Sequence, residues 1–200
     1  MRWSLSTWLF LVIPLAACSV DSGRTVRPVE PPVNLGTTDE ASGVTIPLAE
    51  VRKSQAAAVT QRVANTEIAV TYSRPTARGR ALFGSLVPLD QVWNPGADRA
   101  TAVRFSRGVT VNGRPLGAGR YSLWVIPRET TWTLIFSGAA DVYHTPYPGE
   151  AQDVLRLDVE PEAAPYAEVM TFDFPTVDGK SATLRLHWGA TAVPMTIVVP

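Results

Sequence analysis

The chain has 200 residues, and its 18 basic and 18 acidic side chains give a formal net charge of zero. Arg2 is the only charged residue among the first 18, which leaves 17 basic and 18 acidic residues in the remainder. A near-neutral chain with interspersed charges lacks the basic footprint of nucleic-acid binding, so composition argues against nucleic acid as a partner.

The first 18 residues predict an export signal. Arg2 precedes an apolar run from Trp8 to Ala17, which is too short for a stable membrane span. Residues 15–18, Leu-Ala-Ala-Cys, resemble a bacterial lipobox, and Cys18 is the only cysteine. A lone exported cysteine has no disulfide partner, so we expect Cys18 to be lipidated. The alternative is an ordinary signal peptide with an incidental cysteine.

Lipidation of Cys18 predicts where the protein is found. Acyl chains would hold it at a membrane, because each buried methylene group contributes about 0.8 kcal/mol. Ser19, rather than an aspartate, follows the cysteine. By resemblance to Gram-negative lipoproteins, this predicts an outer-membrane lipoprotein that faces the periplasm or the cell surface. The membrane is therefore a predicted partner, and no cofactor is predicted.

Residues 19–50 predict a flexible linker. They are rich in Pro, Thr, Ser, Gly, Asp and Glu and have no hydrophobic period, so they cannot bury enough apolar surface to offset the entropy of ordering. Residues 48–61 are ambiguous, because their composition favours a helix while residues 57–63 can form a strand. We favour a strand over residues 58–63, paired with residues 66–72 across Ala64-Asn65.

From residue 66 onward the sequence predicts short strands with apolar residues at alternate positions. Many short strands at near-regular spacing are typical of a sandwich or a barrel. Turn residues separate the strands, and Asp178-Gly179 is one such turn. Residues 75–100, which are marked by glycine and proline, predict an irregular stretch. The predicted strands are residues 66–72, 101–106, 131–136, 153–159, 168–174, 181–188 and 195–199.

Residues 109–127 predict a central hairpin. Asn112-Gly113 tolerates the positive φ angles of a tight turn. In the following strand, 120–126, Tyr121, Leu123 and Val125 alternate with a second set that is also largely apolar, so both faces of this strand should be covered. We therefore predict an all-β fold over residues 51–200, a mostly antiparallel β-sandwich of jelly-roll or immunoglobulin-like type.

The irregular stretch and the hairpin also carry the pattern of a known family. The chain resembles the bacterial domain of unknown function 2911 family over roughly residues 57–199. The residues that carry the resemblance are Ser73-Arg74-Pro75, residues 78–84 (Arg-Gly-Arg-Ala-Leu-Phe-Gly), Leu86-Val87-Pro88, Val92-Trp93, Gly96-Ala97-Asp98, Ala100-Thr101, residues 118–123 (Ala-Gly-Arg-Tyr-Ser-Leu), Ile126-Pro127, Trp132 and residues 153–156 (Asp-Val-Leu-Arg).

The resemblance implies an exported protein, often a lipoprotein, of no established activity. The chain departs from the family pattern after Trp93. The family usually has Trp-Arg-Thr-Gly-Ala-Asn, whereas this chain has Asn94 in place of the arginine and a carboxylate at Asp98. A role of that arginine in other members cannot be carried over.

The first candidate site lies in and beside the irregular stretch. Arginine suits bidentate capture of carboxylate or phosphate, and loops on rigid scaffolds often carry function. The alternative is structural: Arg74 or Arg80 pairs with Asp90 or Asp98 and fastens the loop to the sandwich. The candidate ligand- or partner-binding residues are Arg74, Arg78, Arg80, Asp90, Trp93, Asn94 and Asp98.

The second candidate site is the loop that carries Tyr143, His144 and Tyr147. Aromatic side chains on a proline-rich loop can form a platform for a sugar or a partner protein. The alternative is a loop that covers one open end of the core. Asp141 and His144 are too few ligands to predict a metal site, and His187 is expected to face solvent or to be hydrogen-bonded.

The sequence contains no nucleophile elbow, phosphate loop or zinc pair. We therefore favour a lipid-anchored envelope protein that acts as a non-enzymatic binding module for an envelope protein or a glycan. One alternative is a hydrolase or other enzyme, which requires Asp90, Asp98 and His144 to converge. The other is a purely structural envelope domain.

Overall fold

The computed structural model describes residues 54–200. The predicted signal peptide, the lipidation site at Cys18 and the linker lie outside these residues. Within them no helix is long and apolar enough to cross a membrane. The elements are β1 (Ser54–Val63), β2 (Thr66–Pro75), β3 (Ala102–Phe105), β4 (Val109–Val111), β5 (Arg114–Leu116), β6 (Gly119–Ile126), β7 (Trp132–Ser137), a 3₁₀ turn (Glu150–Gln152), β8 (Asp153–Val159), β9 (Glu162–Asp178) and β10 (Ser181–Val198).

The strands form two sheets that face each other. One has six strands in the order β1-β2-β3-β6-β7-β8, and the other has four in the order β5-β4-β10-β9. All pairs of neighbouring strands are antiparallel. The predicted all-β, antiparallel sandwich is therefore confirmed.

The core lies between the two sheets. Alternate residues of each strand point inward, as the period-two pattern predicts. Leu123 and Val125 of β6 meet Leu184 and Leu186 of β10 in one buried cluster. In β10 the inward set also includes Trp188, which is 2% exposed.

The first strand is longer than predicted. β1 begins at Ser54 and pairs with β2 over its whole length, from Ser54 opposite Pro75 to Val63 opposite Thr66. Residues 54–61 are therefore a strand and not a helix. Cross-strand pairing overrides the helix propensity of their alanines, because propensity is a weak prior in a tertiary context.

The central hairpin was only partly predicted. Asn112 and Gly113 do form a tight turn, with φ angles of 45° and 77°. This turn joins β4 to β5, however, and β6 then crosses to the other sheet, where it lies between β3 and β7. Residues 109–127 thus link the two sheets and are not a single hairpin. The predicted last strand is likewise not separate, because it is the end of β10.

A second, smaller apolar cluster covers the outer face of the six-stranded sheet. Trp124 and Ile135, from neighbouring strands, point away from the main core and are 1% and 0% exposed. Val92, from the loop before β3, and Val142 and Tyr147, from the loop before β8, pack over them. Both faces of β6 are therefore covered, as predicted, and two loops supply the cover on the outer side.

Candidate functional site

The loop between β2 and β3 is fixed to the six-stranded sheet by Asn94, which is 1% exposed. Its side-chain amide donates to the Leu123 carbonyl at 2.8 Å, and its side-chain oxygen accepts from the Thr101 backbone N–H at 3.1 Å. The hydroxyl of Thr101 donates to the Pro95 carbonyl. The side-chain amide nitrogen and oxygen of Asn94 are thus both engaged in hydrogen bonds that hold the loop.

The next segment of interest is a tight turn at Ala77–Arg80. The Arg80 N–H donates to the Ala77 carbonyl, and Arg78 and Gly79 have φ angles of 53° and 69°. The Arg80 guanidinium folds back over the turn, where Nε donates to the Ala77 carbonyl at 2.8 Å and Nη2 to the Thr76 carbonyl at 2.7 Å. The orientation of the Arg80 side chain is therefore set by backbone groups.

Four aromatic rings pack together beside this turn. Trp93 stacks on Trp188, with ring centroids 6.1 Å apart and planes inclined by 16°. Phe83 meets Trp93, Trp132 and Trp188 edge-on. These spacings lie in the favourable range for aromatic pairs. Trp93 is partly exposed while Trp188 is buried, so the cluster presents the Trp93 ring toward the surface.

The stacked tryptophans and the arginine turn border one hollow of about 400 Å³, here called the Trp93 cleft. Its volume lies in the range of small-ligand sites. The lining contains two arginines and two tryptophans, and among residues 54–200 no carboxylate belongs to it. The lining residues are Ser54, Pro75, Thr76, Arg78, Arg80, Leu86, Val87, Trp93, Gly96 and Trp188.

The arginines of this region are not neutralised by ion pairs. Within residues 54–200, the side chains of Arg74, Arg78 and Arg80 make no salt bridge. Arg74 instead donates from Nε to the Met170 carbonyl at 3.3 Å. The nearby Glu168 accepts from the backbone N–H of Arg78 at 2.6 Å and from the Tyr166 hydroxyl at 3.1 Å.

The predicted structural pairing of arginine with aspartate takes a different form. The Arg80 side chain binds the carbonyl groups of Thr76 and Ala77, in its own turn, and neither Asp90 nor Asp98. Asp90 pairs with Arg128, at 3.2 Å, and its N–H donates to the Pro127 carbonyl at the end of β6. A sequence pattern identifies charges but cannot identify partners, and the partner of Asp90 is 38 residues away in the chain.

Asp98 and His144 do come together, but through the backbone. The Asp98 carbonyl accepts from the His144 N–H at 3.0 Å and lies 2.8 Å from the His144 Nδ1. Since a carbonyl oxygen only accepts, Nδ1 carries the proton in this contact. The Asp98 carboxylate is not the partner of the ring, and Asp90 lies beside Pro127. These contacts do not supply the convergent carboxylate–histidine site that the enzyme hypothesis requires.

A second hollow, of about 690 Å³, adjoins Asp98 on the outer side of the six-stranded sheet. Its lining also includes Arg99, Tyr143 and the ion pair between Arg120 and Asp141. Tyr143 is 60% exposed and belongs to no apolar cluster of the described residues. Charges of both signs line this hollow and part of them neutralise each other, so it has no single charge preference.

Tyr147 does not belong to an exposed platform. Its ring packs edge-on against Trp124, with centroids 5.2 Å apart, and its hydroxyl donates to Asp153 at 2.5 Å. Burial and the Asp153 carboxylate raise the pKa of Tyr147 above its ordinary value. Of the two tyrosines of this loop, Tyr147 thus covers the outer face of the sheet and Tyr143 is exposed to solvent.

Of the predicted site residues, Arg78, Arg80 and Trp93 line the Trp93 cleft, and Asp98 and Tyr143 line the second hollow. The others line neither of these two hollows: Arg74, Asp90, Asn94, His144 and Tyr147. Sequence reasoning did not identify Trp188 as a site residue. The signal that could have identified it is Gly189, which has a φ of 59° at an irregularity in β10. Within residues 54–200 no group of three or more His, Cys, Asp or Glu side chains could hold a metal ion.

A profile of the family described as "Protein of unknown function (DUF2911)" matches residues 54–197. The chain belongs to this family. The match spans the entire sandwich except its last three residues and includes every residue of the Trp93 cleft. Searches for similar curated proteins and for similar solved structures gave no match. The description of the DUF2911 family assigns no activity to its members.

Proposed function

We propose that this DUF2911 protein is a lipid-anchored envelope protein whose domain binds a glycan, without catalysis, in the Trp93 cleft. The observation that carries the proposal is the partly exposed Trp93 ring, stacked on Trp188 and bordered by Arg78 and Arg80. A pyranose has an apolar C–H face and a polar hydroxyl edge. The face of the Trp93 ring can pack against the C–H face of the sugar, and the arginine N–H groups can donate hydrogen bonds to its hydroxyl groups.

The size of the cleft favours a glycan over a folded partner protein. A stable protein interface buries roughly 800 Å² on each partner, over a surface that is close to flat. A concave hollow of about 400 Å³ is suited instead to one or two sugar rings. The rest of the rim gives no large apolar surface, since Leu86 is its one exposed large apolar residue among those described.

The lipobox and the linker supply the cellular part of the proposal. With acyl chains on Cys18 and residues 19–50 as a spacer, the domain would be held about 30 Å from the membrane, by the flexible-chain estimate. That distance suits a domain that contacts envelope polymers close to the membrane. The protein would then remain at the membrane while its cleft samples the surrounding glycans.

Glycan binding is tested with residues 46–200, which contain every strand of the sandwich, on an array of bacterial envelope glycans. We expect binding by the natural sequence and its loss in Trp93→Ala. Tyr143→Ala, which removes an exposed aromatic ring outside the cleft, is the matched control and should bind normally. If Trp93→Ala unfolds, Trp93→Phe keeps the aromatic packing and should bind several-fold more weakly. No array binding, or equal loss in Tyr143→Ala, would contradict the proposal.

Anchoring is tested separately by growing cells with radiolabelled palmitate. We expect label on the full chain and none on Cys18→Ala, which should also leave the membrane fraction. Labelling that persists in Cys18→Ala, or its absence from the natural sequence, would contradict the lipid anchor and would leave the glycan site untouched.

A further inference from the structure

We propose that the Trp93 cleft selects anionic saccharides, in which a carboxylate or phosphate on the sugar is held by Arg78 and Arg80. This inference rests on the proposed glycan binding and adds the chemical class of the ligand. Three observations support it: the orientation of the Arg80 guanidinium, the charge of the residues that line the cleft, and the hydrogen bonds of the nearby Glu168 carboxylate.

The Arg80 side chain is oriented before any ligand arrives. Two of its nitrogens, Nε and Nη2, donate to the carbonyls of Ala77 and Thr76, while Nη1 makes no hydrogen bond within residues 54–200. A guanidinium has no acceptor and carries its charge at every physiological pH. Because Nε and Nη2 already hold the planar guanidinium in place, the Arg80 side chain loses little further conformational entropy when Nη1 binds an anion.

Arg78 adds a second positive charge at the same rim. Its main chain is fixed by the turn and by the hydrogen bond to Glu168, and its side chain is exposed. The side chain makes no hydrogen bond or ion pair in the described part of the chain. Two guanidinium groups that line one hollow, and that pair with no carboxylate of residues 54–200, repel each other, and an anion bound between them reduces that repulsion.

Among residues 54–200, no carboxylate lines the Trp93 cleft. One carboxylate, that of Glu168, lies beside the arginine turn and is a negative charge there, but outside the lining. Glu168 already accepts from the Arg78 N–H and the Tyr166 hydroxyl. Five arginines, Arg104, Arg120, Arg128, Arg156 and Arg185, each pair with a carboxylate. Other arginines of residues 54–200 also lack an ion pair, so this property alone does not mark a site. Arg78 and Arg80 differ from them because they line one hollow together with the partly exposed Trp93, and this arrangement points to an external anion.

The experiment compares three monosaccharides that share one ring: N-acetylglucosamine, N-acetylmuramic acid and N-acetylglucosamine 6-phosphate. Dissociation constants are measured for residues 46–200 by titration of tryptophan fluorescence, at low and at high salt. We expect at least one anionic sugar to bind about tenfold more tightly than the neutral sugar, because charge-assisted hydrogen bonds are stronger than neutral ones. Which of the two anionic sugars binds more tightly shows whether the cleft recognises a carboxylate or a phosphate. High salt should reduce only the binding of the anionic sugar.

Variants separate this inference from the proposed function. Arg78→Gln should lose most of the tenfold preference for the anionic sugar and keep its affinity for N-acetylglucosamine. Arg80→Lys keeps the positive charge but not the planar guanidinium, and it should lose part of the preference for the anionic sugar. Arg107→Gln removes an exposed arginine outside the cleft and should change nothing. Equal affinity for all three sugars would overturn the anionic preference and leave glycan binding standing. No binding of any of the three sugars would overturn both.

Discussion

At the scale of single residues, the Arg78 backbone is the most informative feature. Its φ of 53° lies in the left-handed region, where a long side chain is disfavoured and Gly or Asn is preferred. Strain of this kind persists where the surrounding structure imposes it, and it is often found at functional sites. An arginine at this position thus costs stability and gains a positive charge at the mouth of the Trp93 cleft.

Replacing Arg78 with Asn should therefore stabilise the fold and weaken binding. We expect the free energy of unfolding to rise by about 1 kcal/mol, since Asn tolerates the left-handed region, and we expect the preference for anionic sugars to be lost. Urea denaturation measures the first effect and the sugar titration the second. A less stable Arg78→Asn protein would show that the Arg78 side chain holds the fold and is not there for a ligand.

Asn94 should behave in the opposite way, as a purely structural residue. Asn94→Ala leaves the Leu123 carbonyl and the Thr101 N–H buried without partners, so we expect a loss of about 2–3 kcal/mol in the free energy of unfolding. The exposed Asn65→Ala is the control and should stay within about 0.5 kcal/mol. A change below 1 kcal/mol in Asn94→Ala would mean that the loop before β3 is fixed by other contacts.

Tyr147 predicts a dependence of stability on pH. Its pKa is raised in the folded protein by burial and by Asp153, so the folded state holds the phenol proton more tightly than the unfolded chain. Stability from this group is complete below the ordinary pKa of tyrosine, about 10, and falls as pH rises above it. The melting temperature should drop less between pH 9 and pH 11 in Tyr147→Phe than in the natural sequence. Identical pH curves would contradict the role of the hydroxyl.

At the scale of elements, the alternation of apolar residues was enough to predict most strands. It could not predict that Asn112-Gly113 closes a short hairpin while β6 joins the other sheet, because the tight turn fixes only its two neighbouring strands. The candidate site was predicted only in part, because sequence patterns report on residues that are close in the chain. Arg78, Arg80 and Trp93 lie on one loop, but Trp188 lies 95 residues beyond Trp93, and only the packing of the two sheets brings it there.

The loop before β3 leaves no room for a side chain at Gly96. A Cβ at this position would lie 2.7 Å from the Thr101 hydroxyl and 3.2 Å from the Asn94 side-chain oxygen, both of which are buried and hydrogen-bonded. Gly96→Ala should lower the free energy of unfolding by about 1–3 kcal/mol, the usual range for overpacking. Gly108→Ala meets only an ordinary contact at 3.7 Å and is the control. Equal stability of the two variants would contradict the tight packing around Asn94.

At the scale of the whole molecule, a predicted export signal, a predicted lipidated cysteine and a predicted linker precede a sandwich that carries the Trp93 cleft. The sequence alone suggested the anchor and the binding role, because the lipobox and the lack of catalytic motifs are local patterns. It could not choose between the two loops as the binding surface. We propose the Trp93 loop because the Trp93 ring is partly exposed beside Arg78 and Arg80, whereas the Tyr147 ring packs against Trp124.

The central claim is that saccharides bind at Trp93. Its most direct test is a ¹H–¹⁵N spectrum of residues 46–200, in which the indole N–H signals of Trp93 and Trp124 are followed while N-acetylmuramic acid and N-acetylglucosamine 6-phosphate are added in turn. Trp124 is an internal control, because it is 1% exposed and its Nε1 donates to Ser122 on the outer face of the six-stranded sheet. We predict that the Trp93 signal shifts and saturates with at least one of the two sugars while that of Trp124 stays in place. A Trp93 signal that does not move with either sugar, or one that moves only together with Trp124, would contradict the account.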